Sequence, residues 1–233
     1  YNVPRIVFIN KMDRVGADFY AAVKDIEEKL QANATPVVLP IGKESDFVGL
    51  IDLIEMKAYI YKDQLGKEIS CEDIPTDYLN IANKYRNLLL EKCALIEESF
   101  SEKYFNNPSS ITEEDIRKTL RRGCILNKLT LVFCGSALKN KGIQKLLDGI
   151  VFYLPSPLDL EAVSAYLPDD SKNKIKIPPS VDEPFSALAF KVQVDPYVGK
   201  LVYLRIYSGY IDSGSYVLNV TKGIKERVAR LVQ

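Results

Sequence analysis

Four polar residues with the pattern N-K-x-D, Asn10-Lys11-Met12-Asp13, follow directly after an apolar run. The carboxylate of Asp13 can accept hydrogen bonds from N1–H and from the 2-amino group of guanine, and adenine offers neither donor there. The stem of Lys11 can lie along the base with its ammonium in water, and Asn10 can donate to the purine N7 and tie neighbouring loops together. The pattern predicts a guanine-selective site, with a simple polar turn as the alternative.

A second group of small residues, Gly135-Ser136-Ala137 followed by Leu138, comes after another apolar run far downstream. Small residues let backbone N–H groups approach a ligand closely, and donors near Ser136 and Ala137 would suit guanine O6, where adenine carries a donor. A site that pairs the donors and acceptors of one purine rejects a purine that leaves its own groups unpaired. Alone, G-S-A is usually a turn, so its value depends on proximity to Asp13.

The elements that must position these two groups are short strands and the helices after them. Residues 5–9 and 129–134 are rich in β-branched and aromatic side chains and predict buried strands of a parallel sheet. Helices are expected from Asp18 to about Gln31 and from 143 to 154. Because ligands bind outside the carboxyl ends of strands in open α/β sheets, we expect both groups at one sheet edge.

The segment between these two parts of the sheet predicts a mixture of strands and helices. Residues 36–41 are expected to form an edge strand flanked by prolines, and residues 47–69 to form strands with a hairpin. A long helix is predicted over about 76–105. A shorter helix should begin at the capping-box pattern Thr112-x-x-Asp115.

The C-terminal part of the chain predicts a linker and then the start of an antiparallel β-barrel. The linker is expected over 156–183, where the run from Asp169 to Lys174 is polar and Pro178-Pro179 is stiff. From 184 to 233, alternating strands and turns are typical of a barrel. An incomplete barrel would expose an unpaired strand edge, which favours self-association.

Composition excludes several kinds of chemistry. Lys plus Arg equals Asp plus Glu at 31 each, which argues against a nucleic-acid or membrane partner for these residues as a whole. The sequence contains no run of 18 apolar residues, so no membrane-spanning helix is predicted. The absence of histidine removes an imidazole base, and four cysteines without C-x-x-C spacing predict buried reduced thiols rather than a metal site.

Basic residues near the C-terminus leave one question open. They could touch RNA or form a solvated barrel face, and the solvated face is favoured. These residues are Lys222, Lys225, Arg227 and Arg230.

Long runs of the chain match one family. They read NKMDRVGADF at 10–19, GSALKNKG at 135–142, LPSPLD at 154–159 and PFSALAFK at 184–191, continuing through Gly199-Lys200 and 205–209. With these runs the chain resembles the translation elongation factor G family, bacterial or organellar in type, over essentially its whole length. The resemblance implies a ribosome-dependent GTPase that promotes translocation of tRNA and mRNA in protein biosynthesis, in the bacterial cytoplasm or an organelle.

The resemblance also implies a domain layout. Residues 1–35 and 127–155 would be the C-terminal part of an α/β, P-loop-NTPase-like GTP-binding domain. Residues 36–126 would be an inserted α+β subdomain, called the insert below, and the first part of β-barrel domain II would begin at 184. GTP or GDP would be bound through the base-reading residues, and Mg²⁺ through residues outside this chain. The base-reading residues are Asn10, Lys11, Met12, Asp13, Ser136, Ala137 and Leu138.

The chain departs from the family pattern where phosphate chemistry would lie. No P-loop pattern G-x-x-x-x-G-K-[ST] occurs in it, and D-x-x-G matches at 13–16 and 63–66 are interpreted as turns. We expect a piece of a longer protein, with no catalytic residue in this chain and no GTPase activity alone. Two alternatives stay open: a module that docks on the ribosome without nucleotide, and a related translational GTPase of release-factor or ribosome-protection type.

Overall fold

The computed structural model describes residues 3–159, 162–167, 170–197 and 199–232. Two compact units, Tyr1–Leu154 and Pro155–Gln233, divide the chain and are described separately. Tyr1 and Gln233 lie outside the described residues, as does Asp169 of the predicted linker.

The first unit contains five α-helices and seven β-strands among its described residues. The helices are α1 (Phe19–Leu30), α2 (Thr76–Ala94), α3 (Glu98–Asn106), α4 (Glu113–Ile125) and α5 (Ile143–Tyr153). The strands are β1 (Ile6–Ile9), β2 (Ala34–Pro36), β3 (Val38–Ile41), β4 (Gly49–Asp52), β5 (Lys57–Tyr61), β6 (Ile69–Glu72) and β7 (Thr130–Cys134).

A three-stranded parallel sheet in the order β1-β7-β2 carries the two polar groups identified in the sequence. Strand β7 is buried throughout, as predicted. Strand β1 was predicted to be buried but is only half-buried, because it forms one end of the sheet as described. The parallel sheet confirms the α/β class expected from the sequence.

Helix α1 begins where the sequence predicted. The carboxylate of Asp18 accepts from the N–H of Ala21 at 2.9 Å, which is an ordinary N-cap. The helix ends at Leu30, and its C-cap Gln31 adopts a left-handed conformation with φ 51°. The end therefore lies where the sequence predicted it.

A four-stranded antiparallel sheet, β3-β4-β5-β6, and helices α2 to α4 lie between β2 and β7 along the chain. Pro36 pairs with Val132 and so belongs to the parallel sheet rather than to this segment. The helix predicted over 76–105 is two helices. The break, near Leu95, contains neither Gly nor Pro; it lets Ile96 and Phe100 pack into the core while Leu95 stays exposed.

One hydrophobic core joins the parallel sheet to the antiparallel sheet. Leu131 and Val132 of β7 belong to the same buried cluster as Leu39 and Leu50. The backbone also crosses between the sheets, because the N–H of Val37 donates to the carbonyl of Val132 at 3.1 Å. The antiparallel sheet is therefore packed closely against β7, the strand that ends at Cys134.

The second unit consists, in its described part, of three antiparallel hairpins. They pair β8 (Val163–Leu167) with β9 (Asp170–Ile177), β10 (Ser186–Asp195) with β11 (Gly199–Ser208), and β12 (Tyr216–Asn219) with β13 (Ile224–Arg227). The first hairpin lies within the predicted linker. The alternation of apolar and polar residues in this hairpin suits a strand. The polar run from Asp169 to Lys174 led instead to the prediction of a linker. No closed barrel forms among the described residues.

The cysteines are free thiols. Cys93, Cys124 and Cys134 are buried, as predicted, whereas Cys71 is exposed on the short strand β6. No helix among the described residues is both long and apolar enough to cross a membrane.

Candidate guanine site

The register of the parallel sheet brings the two polar groups together. Ile9 and Cys134 are partners at the carboxyl ends of β1 and β7. One residue further on, the N–H of Gly135 donates to the carbonyl of Ile9 at 3.0 Å, and the N–H of Met12 donates to the carbonyl of Gly135 at 3.0 Å. The base loop, defined here as residues 10–16, and the second loop, residues 135–142, therefore begin side by side.

Asn10 ties the two loops to each other. Its Oδ1 accepts from the N–H of Lys11 at 2.8 Å and from the N–H of Ala137 at 3.0 Å. Lys11 adopts a left-handed backbone with φ 64°, which turns the chain sharply after the strand. The structure thus brings Asn10 into the loop-bridging position that the sequence predicted.

Asp13 is a largely buried carboxylate, with a side chain 7% exposed. The hydroxyl of Ser136 donates to it, and the Nζ of Lys139 lies 3.6 Å from its Oδ2. The Ser136 hydrogen bond is the largest influence on the pKa of Asp13 and lowers it; burial opposes this, and the Asp13 N–H, Lys139 and Arg14 lower it further. Asp13 is therefore held in its acceptor-only, ionised form.

The second loop is closed by its own backbone. Ser136 and Lys141 exchange two hydrogen bonds, of 2.9 and 3.0 Å, and the N–H of Lys139 points to the Ser136 hydroxyl at 3.4 Å. The amides of Ser136 and Ala137, which the sequence predicted as donors to guanine, thus already have protein acceptors. Within the described stretch 136–139, only the amide of Leu138 lacks one, and its side chain is 80% exposed.

Two contributors to this edge were missed by the sequence analysis. Lys139 places its Nζ 3.6 Å from Asp13, a contact that its place in the run 135–142 did not indicate. Glu44 reaches the base loop from the inserted segment, through contacts described below. Sequence patterns could not indicate either contact, since both join segments that are far apart along the chain.

The arrangement offers a ligand the carboxylate acceptor of Asp13 beside the open backbone donor of Leu138. Among the described residues no group of three His, Cys, Asp or Glu side chains could hold a metal ion. The D-x-x-G matches at 13–16 and 63–66 are turns, as predicted: Gly16 has φ 82°, and the Asp63 carboxylate accepts from Leu65, Lys67 and Glu68 amides.

Comparison with known proteins adds independent information. A family model of the elongation factor Tu GTP binding domain matches residues 1–156. An elongation factor G from Ureaplasma urealyticum serovar 10 is 49% identical over all 233 residues, which correspond to 33% of that protein. A crystal structure of a Thermus thermophilus protein matches with a TM-score of 0.75 and 28% identity, covering 97% of this chain and 30% of that one. The chain thus spans about a third of the curated relative's length.

Proposed function

The chain belongs to the family of the elongation factor Tu GTP-binding domain, and from that premise we propose that it carries the guanine-recognition half of a translational GTPase of the elongation factor G type. The similarity to an elongation factor G supports this assignment. The whole protein would bind and hydrolyse GTP and promote ribosomal translocation of tRNA and mRNA. The bacterial source of the relative supports a cytoplasmic location over an organellar one.

One observation carries the proposal. At the carboxyl edge of a parallel sheet, a hydrogen bond from Ser136 lowers the pKa of Asp13 and so favours its ionised form. Beside it, Asn10 accepts from the amide of Ala137 at 3.0 Å. In the proposed complex the Asp13 carboxylate accepts from guanine N1–H and the 2-amino group, and the Asn10 amide donates to N7. Guanine O6 takes a backbone donor of the second loop, for which the amide of Leu138 is open.

Base selectivity follows from this pairing. Adenine would place an unprotonated N1 against the carboxylate of Asp13 and a 6-amino donor against a backbone donor, leaving buried groups unpaired. Lys11 would cover one face of the base with its aliphatic stem. When bound, Mg²⁺ would neutralise phosphate charge through residues outside this chain.

The proposed division of the chain follows the same reasoning. The parallel-sheet segments ending at Pro36 and beginning again near 127 would be parts of one GTP-binding domain, interrupted by the insert. The family match up to residue 156 supports a domain boundary near Leu154. Residues 184–233 would begin a barrel domain whose other strands lie outside these hairpins.

The test is a titration of the ¹⁵N-labelled 233-residue chain with guanosine, adenosine and xanthosine, followed by NMR. Guanosine should shift the amides of Asp13 and Leu138 with a millimolar dissociation constant, and adenosine should not. Asp13→Asn should prefer xanthosine, because an amide donor suits a carbonyl at C2. The surface variant Asp25→Asn is the matched control. Unchanged guanosine preference in Asp13→Asn would refute the assignment.

The chain alone should not hydrolyse GTP, because it contains no P-loop pattern. Phosphate release from GTP, measured beside a buffer blank and a denatured sample, is the check. Turnover above both blanks would contradict the proposed division of labour.

The second candidate function is a ribosome-docking module that acts without nucleotide. The observation in its favour is that four cations near the C-terminus are all exposed, namely Lys222, Lys225, Arg227 and Arg230. Co-sedimentation with ribosomes at low and high salt, comparing the wild type with a variant carrying Glu at these positions, distinguishes the candidates. Salt-sensitive pelleting without GTP, lost in the variant, would favour docking.

We also propose that the isolated chain self-associates through its second unit. Large apolar side chains of the β10–β11 hairpin are exposed, Phe190 by 62% and Val194 by 77%, and such surface favours association. Light scattering should show a mass that rises with concentration. A strictly monomeric mass at the highest concentration would refute this.

A further inference from the structure

The inserted segment reaches the base loop through one residue, Glu44, with its backbone and its side chain. Glu44 donates its N–H to the carbonyl of Met12 at 3.0 Å, and its Oε1 accepts from the N–H of Gly16 at 2.8 Å. One residue therefore binds the middle and the end of the base loop, with Asp13 between the two points of attachment. The N–H of Met12 donates to the carbonyl of Gly135, so the backbone of Met12, directly before Asp13, is held through both its N–H and its carbonyl.

The turn that presents Glu44, residues 42–47, is tightly closed. A Cβ at Gly42 would overlap the backbone oxygen of Asp46, so the turn closes too tightly for any other residue there. The N–H of Gly42 donates to the hydroxyl of Tyr78 at 2.9 Å, and Phe47 is 2% exposed. Glu44 has a left-handed backbone with φ 53°, a costly conformation for a non-glycine residue.

The same part of the insert also grips the second loop. The Nζ of Lys141, a residue 8% exposed, donates to the carbonyl of Phe47 at 3.3 Å. The hydroxyl of Tyr61 accepts from the N–H of Gly142 at 2.7 Å, and the amide of Asn140 donates to the carbonyl of Gly66 at 3.2 Å. Both loops of the candidate site are thus held by the insert as well as by each other.

We propose that Glu44 is a positioning residue for guanine recognition, which sets the place of the Asp13 carboxylate by holding the base loop from the insert. The inference rests on the proposed function of this site and extends it to a residue outside the N-K-x-D pattern. Its consequence is a coupling: movement of the turn 42–47 changes guanine affinity, and guanine binding favours one position of that turn.

The experiment measures amide exchange and guanosine binding of the full 233-residue chain in the same samples. Glu44→Ala removes the acceptor for Gly16, so exchange of the Gly16 amide should accelerate and guanosine should bind roughly fivefold more weakly, the usual worth of one net hydrogen bond. Glu44→Gln keeps an oxygen acceptor and should restore both. Ser45→Ala, next to it on the same exposed turn, is the matched control.

Two further variants keep the outcomes distinct. Glu44→Gly relieves the left-handed backbone while removing the side chain, so it tests the contact even if Glu44→Ala folds poorly. Guanosine binding that responds to Asp13→Asn but not to Glu44→Ala or Glu44→Gly, with Gly16 exchange unchanged, would overturn this inference alone. Wild-type chain that does not bind guanosine at all would overturn the proposed function and this inference together.

Discussion

The backbone N–H of Ala137 donates to the side-chain oxygen of Asn10 at 3.0 Å, although 127 residues separate them along the chain. This hydrogen bond joins the ends of two neighbouring parallel strands at the point where a guanine base would meet both loops. The same Asn10 oxygen also accepts from Lys11, so one side chain organises both loops.

Asn10 has a structural role and a proposed base-binding role that two substitutions separate. Asn10→Ala should accelerate amide exchange at Ala137, because the acceptor is lost. Asn10→Asp keeps an oxygen for Ala137 and should leave that exchange slow, yet weaken guanosine binding roughly fivefold, because a carboxylate cannot donate to N7. Amide exchange by NMR and guanosine titration check both. Unchanged exchange in Asn10→Ala would contradict the bridging role.

The hydroxyl of Ser136 lowers the pKa of Asp13. Its hydrogen bond is the largest cause of the lowered pKa of Asp13, so Ser136→Ala should raise that pKa toward 3.8. The carboxylate stays ionised at pH 7 in both proteins, but near pH 4 the variant carries more protonated Asp13. Guanosine binding of the variant should therefore fail at a higher pH than that of the wild type.

A ¹³C NMR titration of the Asp13 carboxyl measures this directly. Lys139→Met is the comparison, and its effect on the pKa of Asp13 should be smaller, because Lys139 ranks behind Ser136 among the causes. An equal or larger shift in Lys139→Met would show that charge rather than the hydroxyl dominates.

Lys145 links helix α5 to the insert. Its Nζ lies 2.8 Å from Asp52 and 3.2 Å from Glu55, and the Asp52 side chain is 6% exposed. Lys145→Met leaves the buried Asp52 carboxylate without its cation, while Glu55 keeps Arg117 at 2.7 Å. The variant should cost about 3–5 kcal/mol of unfolding free energy. Urea denaturation is the measurement. Lys24→Met, which removes an exposed pair with Glu28, should cost under about 1 kcal/mol.

The cost of Lys145→Met should not depend on pH between 6 and 9. Burial opposes the charge of Lys145, but Asp52, Tyr59 and Glu55 outweigh it and raise its pKa above 10.5. A raised pKa gives stability that is present below 10.5 and is lost only as the pH rises further. A cost that fell between pH 6 and 9 would refute this account.

The capping box of α4 should make the first unit sensitive to acid. Asp115 accepts from Lys103 at 2.8 Å and from the N–H of Thr112 at 2.9 Å, and these contacts lower its pKa to about 2. Its contribution is therefore present above about pH 4 and is lost as the pH falls toward 2. Asp115→Asn should destabilise at pH 7 by about 1 kcal/mol, and by less at pH 3.

Urea denaturation at the two pH values tests the capping prediction. Asp77→Asn is the control, since Asp77 lies in the first turn of α2 without a side-chain cap. The interpretation fails if Asp115→Asn costs the same at pH 3 as at pH 7.

Much of the fold was predictable because it depends on local pattern. Strands β1 and β7, the Asp18 cap of α1 and the Thr112 capping box all follow from residues close together in sequence. The break near Leu95 and the hairpin within the predicted linker were not predictable in this way. The first is decided by burial of Phe100 in a distant core, and the second by strand pairing.

By itself the sequence determined the chemical types at the site: a carboxylate, an amide and small residues, each placed just after a strand. Only the tertiary structure decided which donors stay open, because Asn10 and Lys141 occupy the amides of Ala137 and Ser136 and leave that of Leu138. It also decided that Glu44 holds the base loop. Hydrogen bonds between segments far apart in the chain depend on register and packing, which no local pattern encodes.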